Sequence, residues 1–283
     1  MNAFISALRA ELFVAVRSLG TRLLVLAPVS LAAIQLLFSA LGESGAQAQK
    51  ALLGSDPLEV ASSGYGYWVD ALVTGFIALG LLCVASAAHS FAAERDLGSL
   101  RHSVIRRVSR TNLVISKLLS LYLLTATSLI VLIFGSWWLS TMLFELGPVV
   151  EDGYELISEG EILKEIHLGL QLAALPLPAA IAFGLMLSIL AQSATQALTL
   201  ALGLTLSFDV FKTSLGDTAA YFYATFQPSL IDASYLGDVA RLARGYSDVL
   251  IDDRLLQLNY WAPLPTFLIC LALSLVVVRR KTL

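Results

Sequence analysis

Between Leu168 and Phe208 the chain reads LGLQLAALPLPAAIAFGLMLSILAQSATQALTLALGLTLSF, without a single charged residue. A spanning helix needs about 20 apolar residues to cross the hydrocarbon, at about 1.5 Å per residue. The run is too long for one pass and suited to two. Gln192-Ser193-Ala194-Thr195-Gln196 is its most polar part. That stretch predicts a turn joining a helix over 168–191 to one over 195–211. A chain built around such a hairpin belongs in a bilayer.

Outward from this hairpin, four more charge-free runs predict spans over 23–42, 67–90, 118–143 and 260–278. The fold expected is an all-α polytopic membrane protein with six spanning helices. Composition agrees: 57% of the 283 residues are hydrophobic and 14% charged, against about 25% charged in soluble domains. Too little charge remains to cover a water-facing surface, which excludes a soluble enzyme or a disordered regulator. The net charge of −3 lacks the basic excess that nucleic-acid partners favour. Cys83 and Cys270 lie in apolar runs and read as small buried hydrophobes.

The charges also orient the chain. With the N-terminus inside, the inner segments hold 12 basic residues and three acids, Glu11, Glu94 and Asp96. The outer segments hold the other six basic residues and 18 acids, so +9 inside and −12 outside sum to −3. Both termini are expected in the cytoplasm, with the chain in the inner membrane. Trp68, Trp137, Trp138 and Trp261 fall at outer ends, as an aromatic belt would.

Over residues 1–20, Phe4, Leu8, Leu12, Val16 and Leu19 recur close to every fourth position. That spacing predicts an amphipathic helix lying flat at the inner surface, with Leu8, Leu12 and Val16 on its apolar face. Ala46-Gln47-Ala48 mimics a signal-peptidase site. The basic region before it is too long and the apolar run exceeds the usual 7–15 residues, so no cleavage is expected.

The chemistry of catalysis is missing. No Lys follows a Gly, so there is no phosphate-binding loop of the Gly-Lys type. His89, His102 and His167 fall on different segments and make no metal cluster. Ser44, in Gly42-Glu43-Ser44-Gly45, superficially matches an intramembrane protease motif, but it lies in an outer loop without a histidine base. No ionisable residue falls at the centre of a predicted span. Asp70, Asp209 and Lys212 are expected at solvated outer helix ends.

The inner loop over 91–117 is the informative segment. Glu94, Arg95 and Asp96 lead into Gly98, suited to a sharp turn, and Ser99, a plausible helix cap. Leu100, Val104, Ile105 and Val108 form an apolar stripe flanked by Arg101, Arg106, Arg107 and Arg110. A positive-inside anchor explains the arginines but not the acids or the turn. Glu94, then Gly98-Ser99-Leu100, Val108-Ser109-Arg110 and Lys117 resemble, in order and spacing, the first inner loop of ABC-2 type transporter permeases. Arg107 departs from the proline usual there.

The resemblance extends to the layout of elbow helix, six spans and a long outer stretch over 212–259. In the family that stretch forms a re-entrant helix pair, and Phe222, Tyr223, Phe226, Gln227-Pro228 and Leu230 have the required apolar-aromatic character. It implies a permease subunit of an ATP-driven exporter, driven by separate ABC ATPase subunits that carry the ATP and Mg. No cofactor or catalytic residue is expected on this chain. The ATPase would rest on a coupling helix formed by Glu94, Arg95, Asp96, Gly98, Ser99, Leu100, Arg101, Val104 and Arg106. Gln192 and Ser193 in the second inner turn would add contacts. The other partners implied are a second permease chain, identical or different, and membrane lipid. The acidic outer loops leave room for an extracytoplasmic accessory protein. The alternative from another class is a non-transporting membrane scaffold holding a partner through its basic loop.

Overall fold

The computed structural model describes residues 2–53, 63–98, 109–151, 154–228, 234–246 and 253–280. The helices in chain order are α1 (Asn2–Arg17), α2 (Leu19–Leu53), α3 (Gly64–Asp96) and α4 (Arg110–Leu143), then α5 (Glu159–Ala174), α6 (Leu177–Leu190) and α7 (Ala194–Leu215). Three more follow: α8 (Tyr235–Leu242), α9 (Asp253–Trp261) and α10 (Pro263–Arg280). Six stretches are long and apolar enough to cross a bilayer, within α2, α3, α4, α5–α6, α7 and α9–α10. An antiparallel hairpin, β1 (Val149–Glu151) with β2 (Tyr154–Ile157), caps one end. The ends of the bundle are named inner and outer after the charge asymmetry.

α3 is the centre, because its sequence is apolar or small on every side. It packs against α2, α4, α6, α7 and α8, and Leu72, Phe76, Leu79, Val84, Ala87 and Phe91 are fully enclosed. Against α6 the approach is closest at Gly184, where an added Cβ would stand 2.6 Å from the Val84 carbonyl oxygen. Four residues further along α6, the Ser188 hydroxyl accepts from the backbone N–H groups of Phe91 (3.1 Å) and Ala92 (2.9 Å).

α2 carries Pro28 in its interior. Proline has no N–H for the carbonyl four residues earlier, here Leu24, and hydrocarbon offers no water in its place. The buried Ser128 hydroxyl of α4 donates to that Leu24 oxygen at 2.8 Å. The same side-chain bond thereby locks α2 to α4.

The fourth span, expected as one helix over 168–191, is two. Leu175-Pro176-Leu177-Pro178 ends α5 and starts α6, since neither proline can donate within a helix. α5 begins earlier than expected, at a capping box in which Ser158 and Glu161 bond reciprocally. The other helices also overrun their charge-free cores. α2 extends past 23–42, α3 past 67–90, α4 back from 118–143 to Arg110, and α10 to Arg280 beyond 260–278. Charged residues at helix ends do not stop a helix; they only leave the hydrocarbon.

Two expectations about burial, for Trp68 and Lys212, are corrected. Trp68 is not a belt residue: it is 6% exposed, and its indole N–H donates to Ser136 Oγ at 3.0 Å in the α3–α4 contact. The face of α1 turned to α4 carries Ala7, Leu8, Glu11, Leu12 and Ala15, and Val16, 67% exposed, lies on another face. A strict four-residue spacing advances about 40° per step on a helix of 3.6 residues per turn, so the stripe drifts off the contact. Lys212 is buried and ion-paired with Asp209 at 3.0 Å rather than solvated. After α7, 3-10 turns at Gly216–Tyr221 and Tyr223–Phe226 fold back over it. Asp70 pairs with Arg244 of the segment after α8, which lies over the Tyr67 ring at 5.3 Å. Leu230 of the outer stretch lies outside the described residues.

Candidate coupling face at the inner end

The inner end is assembled from four chain segments by polar bonds that no single segment could make alone. Lys117, one turn into the apolar part of α4, is 2% exposed. Its ammonium stands 2.5 Å from Glu94 of α3 and 3.0 Å from Glu11 of α1. A buried ammonium is tolerated only when paired, and here it has two carboxylates. α1, α3 and α4 are therefore fastened at one point. Glu11 is itself pressed against α4, and that burial pushes its carboxyl above its ordinary value of 4.5. Lys117 opposes the shift and the neighbouring Glu94 adds to it.

A raised carboxyl value means that the folded chain binds this proton more tightly than the unfolded chain. The stabilisation that Glu11 provides is complete below 4.5 and is lost as pH rises through the folded value. Glu11→Gln should remove that dependence. In thermal unfolding against pH, the stability of the natural chain relative to the variant should fall as pH rises across this window and then level off.

Two residues beyond Glu94, Asp96 ties the first inner loop to the second inner turn. Its Oδ2 accepts from the Ala194 backbone N–H at 2.6 Å. Ala194 is the first residue of α7, whose unsatisfied N–H groups attract a carboxylate. Ser193 caps the same helix by accepting from Gln196 N at 3.2 Å, and the Gln196 side chain returns to the Gln192 N–H at 2.8 Å. The polar turn read from the sequence is thus a self-capped corner held against the end of α3.

Gly98 has φ +71°, a left-handed conformation that a side chain disfavours. Leu97 before it is 81% exposed. The Arg95 guanidinium is drawn inward, and neither of its terminal nitrogens meets an acceptor in the structure. Ser109 caps α4 by accepting from Asn112 N, and Arg110 donates to the Val278 carbonyl near the end of α10 at 3.5 Å. Ser99, Leu100, Arg101, Val104 and Arg106, with Arg107 and Val108, lie outside the described residues. Of the elbow residues, Leu8 and Leu12 face α4 while Val16 does not.

The structure brings Glu94, Asp96, Gln192 and Ser193 to one end, as a single connected surface with Gly98 at its edge. Glu94 points back into the protein, at Lys117. Glu11 and Lys117 did not figure among the expected site residues. Their signal was a lone acid inside the apolar stripe of α1, between Leu8 and Leu12, and a lone lysine at the mouth of an uncharged span. Ser44 lines a cavity beside Gly64 and Tyr67 at the outer start of α3, whereas His89 lies 25 residues further along that helix, about 37 Å away.

Compared with known protein families, residues 6–278 match the ABC-2 family transporter proteins. The chain belongs to the ABC-2 transporter family. No curated protein matches its sequence. Membership and the six apolar stretches together make it a multi-pass membrane protein of the permease type. An ABC-2 permease works with an ABC ATPase.

Proposed function

We propose that this ABC-2 permease is the membrane half of an ATP-driven exporter in the cytoplasmic membrane. Both termini lie in the cytosol, where ABC ATPase subunits dock on the inner face. The observation that carries the reading is the Asp96–Ala194 bond, which joins the start of the first inner loop to the corner between α6 and α7. A push on either element reaches the other without an intervening hinge. Glu94, through Lys117, passes the same displacement to α4 and α1.

The contact face comprises Arg95, Asp96, Gly98, Gln192 and Ser193, continued by Ser99, Leu100, Arg101, Val104 and Arg106. Mixed charge on this face selects the partner, and apolar groups supply contact area. ATP and Mg stay on the ATPase; the permease contributes movement and no catalytic group. A second permease chain completes the path, with lipid around the pair and an accessory protein at the acidic outer loops. The exposed apolar faces of α1, among them Phe13 and Val14, suit an elbow lying in the inner headgroup layer.

Purification of the tagged permease from its own membrane should bring an ABC ATPase in stoichiometric amount. Asp96→Ala combined with Gly98→Leu should leave a folded permease and lower permease-stimulated ATP hydrolysis at least tenfold. Full hydrolysis with this double variant would contradict the coupling role.

A further inference from the structure

Between α3, α7 and the second 3-10 turn lies a cavity of about 30 Å³, lined by Ile77, Leu81, Thr205, Leu206, Asp209, Ala224, Gln227 and Pro228. It lies deep in the bundle. A Cβ on Gly80 would stand 3.4 Å from the Gln227 amide. Gly80 is 12 residues along α3 from Trp68, about 18 Å toward the inner end. A polar wall at that depth in a membrane protein calls for a function.

Three side chains make the wall polar. Gln227 is 8% exposed, and its Nε2 donor has no hydrogen-bond partner among the described residues. Asp209 Oδ1 stands beside Lys212 Nζ at 3.0 Å but receives no hydrogen bond. Thr205, 5% exposed, spends its own hydrogen on the Ala201 carbonyl at 2.8 Å, which leaves its oxygen as an acceptor that the buried Tyr223 hydroxyl also approaches. The remaining lining is hydrocarbon.

The geometry points to a binding site for one hydroxyl-type oxygen, which accepts from the Gln227 amide and donates to Asp209 or Thr205; an alcohol has one hydrogen for the pair, and a water has one for each. An amine cation would leave the Gln227 donor unmet, and a carboxylate would face Asp209. A neutral O–H group satisfies both. The cavity exceeds the roughly 10–15 Å³ that a single water needs, and three polar partners are the usual number for a buried water. The occupant is either a water or the alcohol of a molecule dissolved in the bilayer, entering past Leu206, which is 43% exposed. The site stands on its own geometry. That its alcohol occupant is cargo rests on the permease reading, which the following experiment does not involve.

The full chain in lipid nanodiscs, without ATPase, is titrated with 1-dodecanol or with dodecane and followed by thermal unfolding. Dodecanol should raise the midpoint saturably and dodecane should not. Gln227→Leu, close in size and without the amide, should shift the half-saturating dodecanol concentration at least tenfold upward, and Thr205→Val should weaken it less. If dodecanol has no effect, a high-resolution map that shows an ordered water between Asp209 and Gln227, lost in Gln227→Leu, establishes the same site with water as its occupant. The absence of both a saturable alcohol effect and an ordered water would overturn the proposal.

Discussion

Replacing Lys117 with methionine should be among the most damaging single changes in this permease. The variant keeps the length and apolar stem of the side chain and removes only the ammonium. Glu11 and Glu94 then face one another across the joint of α1, α3 and α4 without the ammonium they share. Removing one member of a buried pair costs about 3–5 kcal/mol. The carboxylates are 19% and 29% exposed, so the lower end, about 3 kcal/mol, is expected here. Lys117→Met should lower the unfolding midpoint sharply at neutral pH. The loss should shrink in acid, because one of the two carboxyls takes up a proton and the repulsion disappears. Arg at 117 would restore the charge but needs more room than a site 2% exposed provides. A methionine variant as stable as the natural chain at every pH would show that the joint is held by packing alone.

Gly184→Leu should have an effect of comparable size for a purely steric reason. An added Cβ at 184 would meet the Val84 oxygen at 2.6 Å and the Ala87 Cβ at 2.8 Å. Both obstacles belong to the middle of α3, which cannot yield without moving its neighbours on every other side. Overpacking of this kind costs about 1–3 kcal/mol and more where backbone must move. The same shift would pull Ser188 from the Phe91 and Ala92 N–H groups and so remove a polar link between α6 and α3. Gly203→Leu on α7, where nothing lies within 4 Å, is the matched control and should leave the folding stability of the chain unchanged. Equal stability of the two variants in detergent would contradict the α3–α6 contact.

Much of this architecture was legible in the sequence because a bilayer converts composition into geometry. The uncharged run from Leu168 to Phe208, with Gln192 at its middle, could be folded in only a few ways, and Gly98 announced its turn. The misreadings share a physical cause. Trp68 and Lys212 were placed by their position along the chain, yet their surroundings are set by other segments: Ser136 for Trp68 and the returning turns after Leu215 for Lys212. The Pro176–Pro178 break was in view but outweighed by the continuity of the apolar run. Asp96 was singled out as a partner contact, and its bond to Ala194 adds a role within the chain that no local pattern encodes.

The most direct measurement is to ask where the ATPase touches this permease, using a photo-crosslinking side chain at exposed Leu97, at Gln192, or at Tyr154 of the outer hairpin. The account predicts that the ABC ATPase is captured from positions 97 and 192 and not from 154. Capture from 154, or labelling of position 97 by a membrane-impermeant reagent added from outside intact cells, would contradict it.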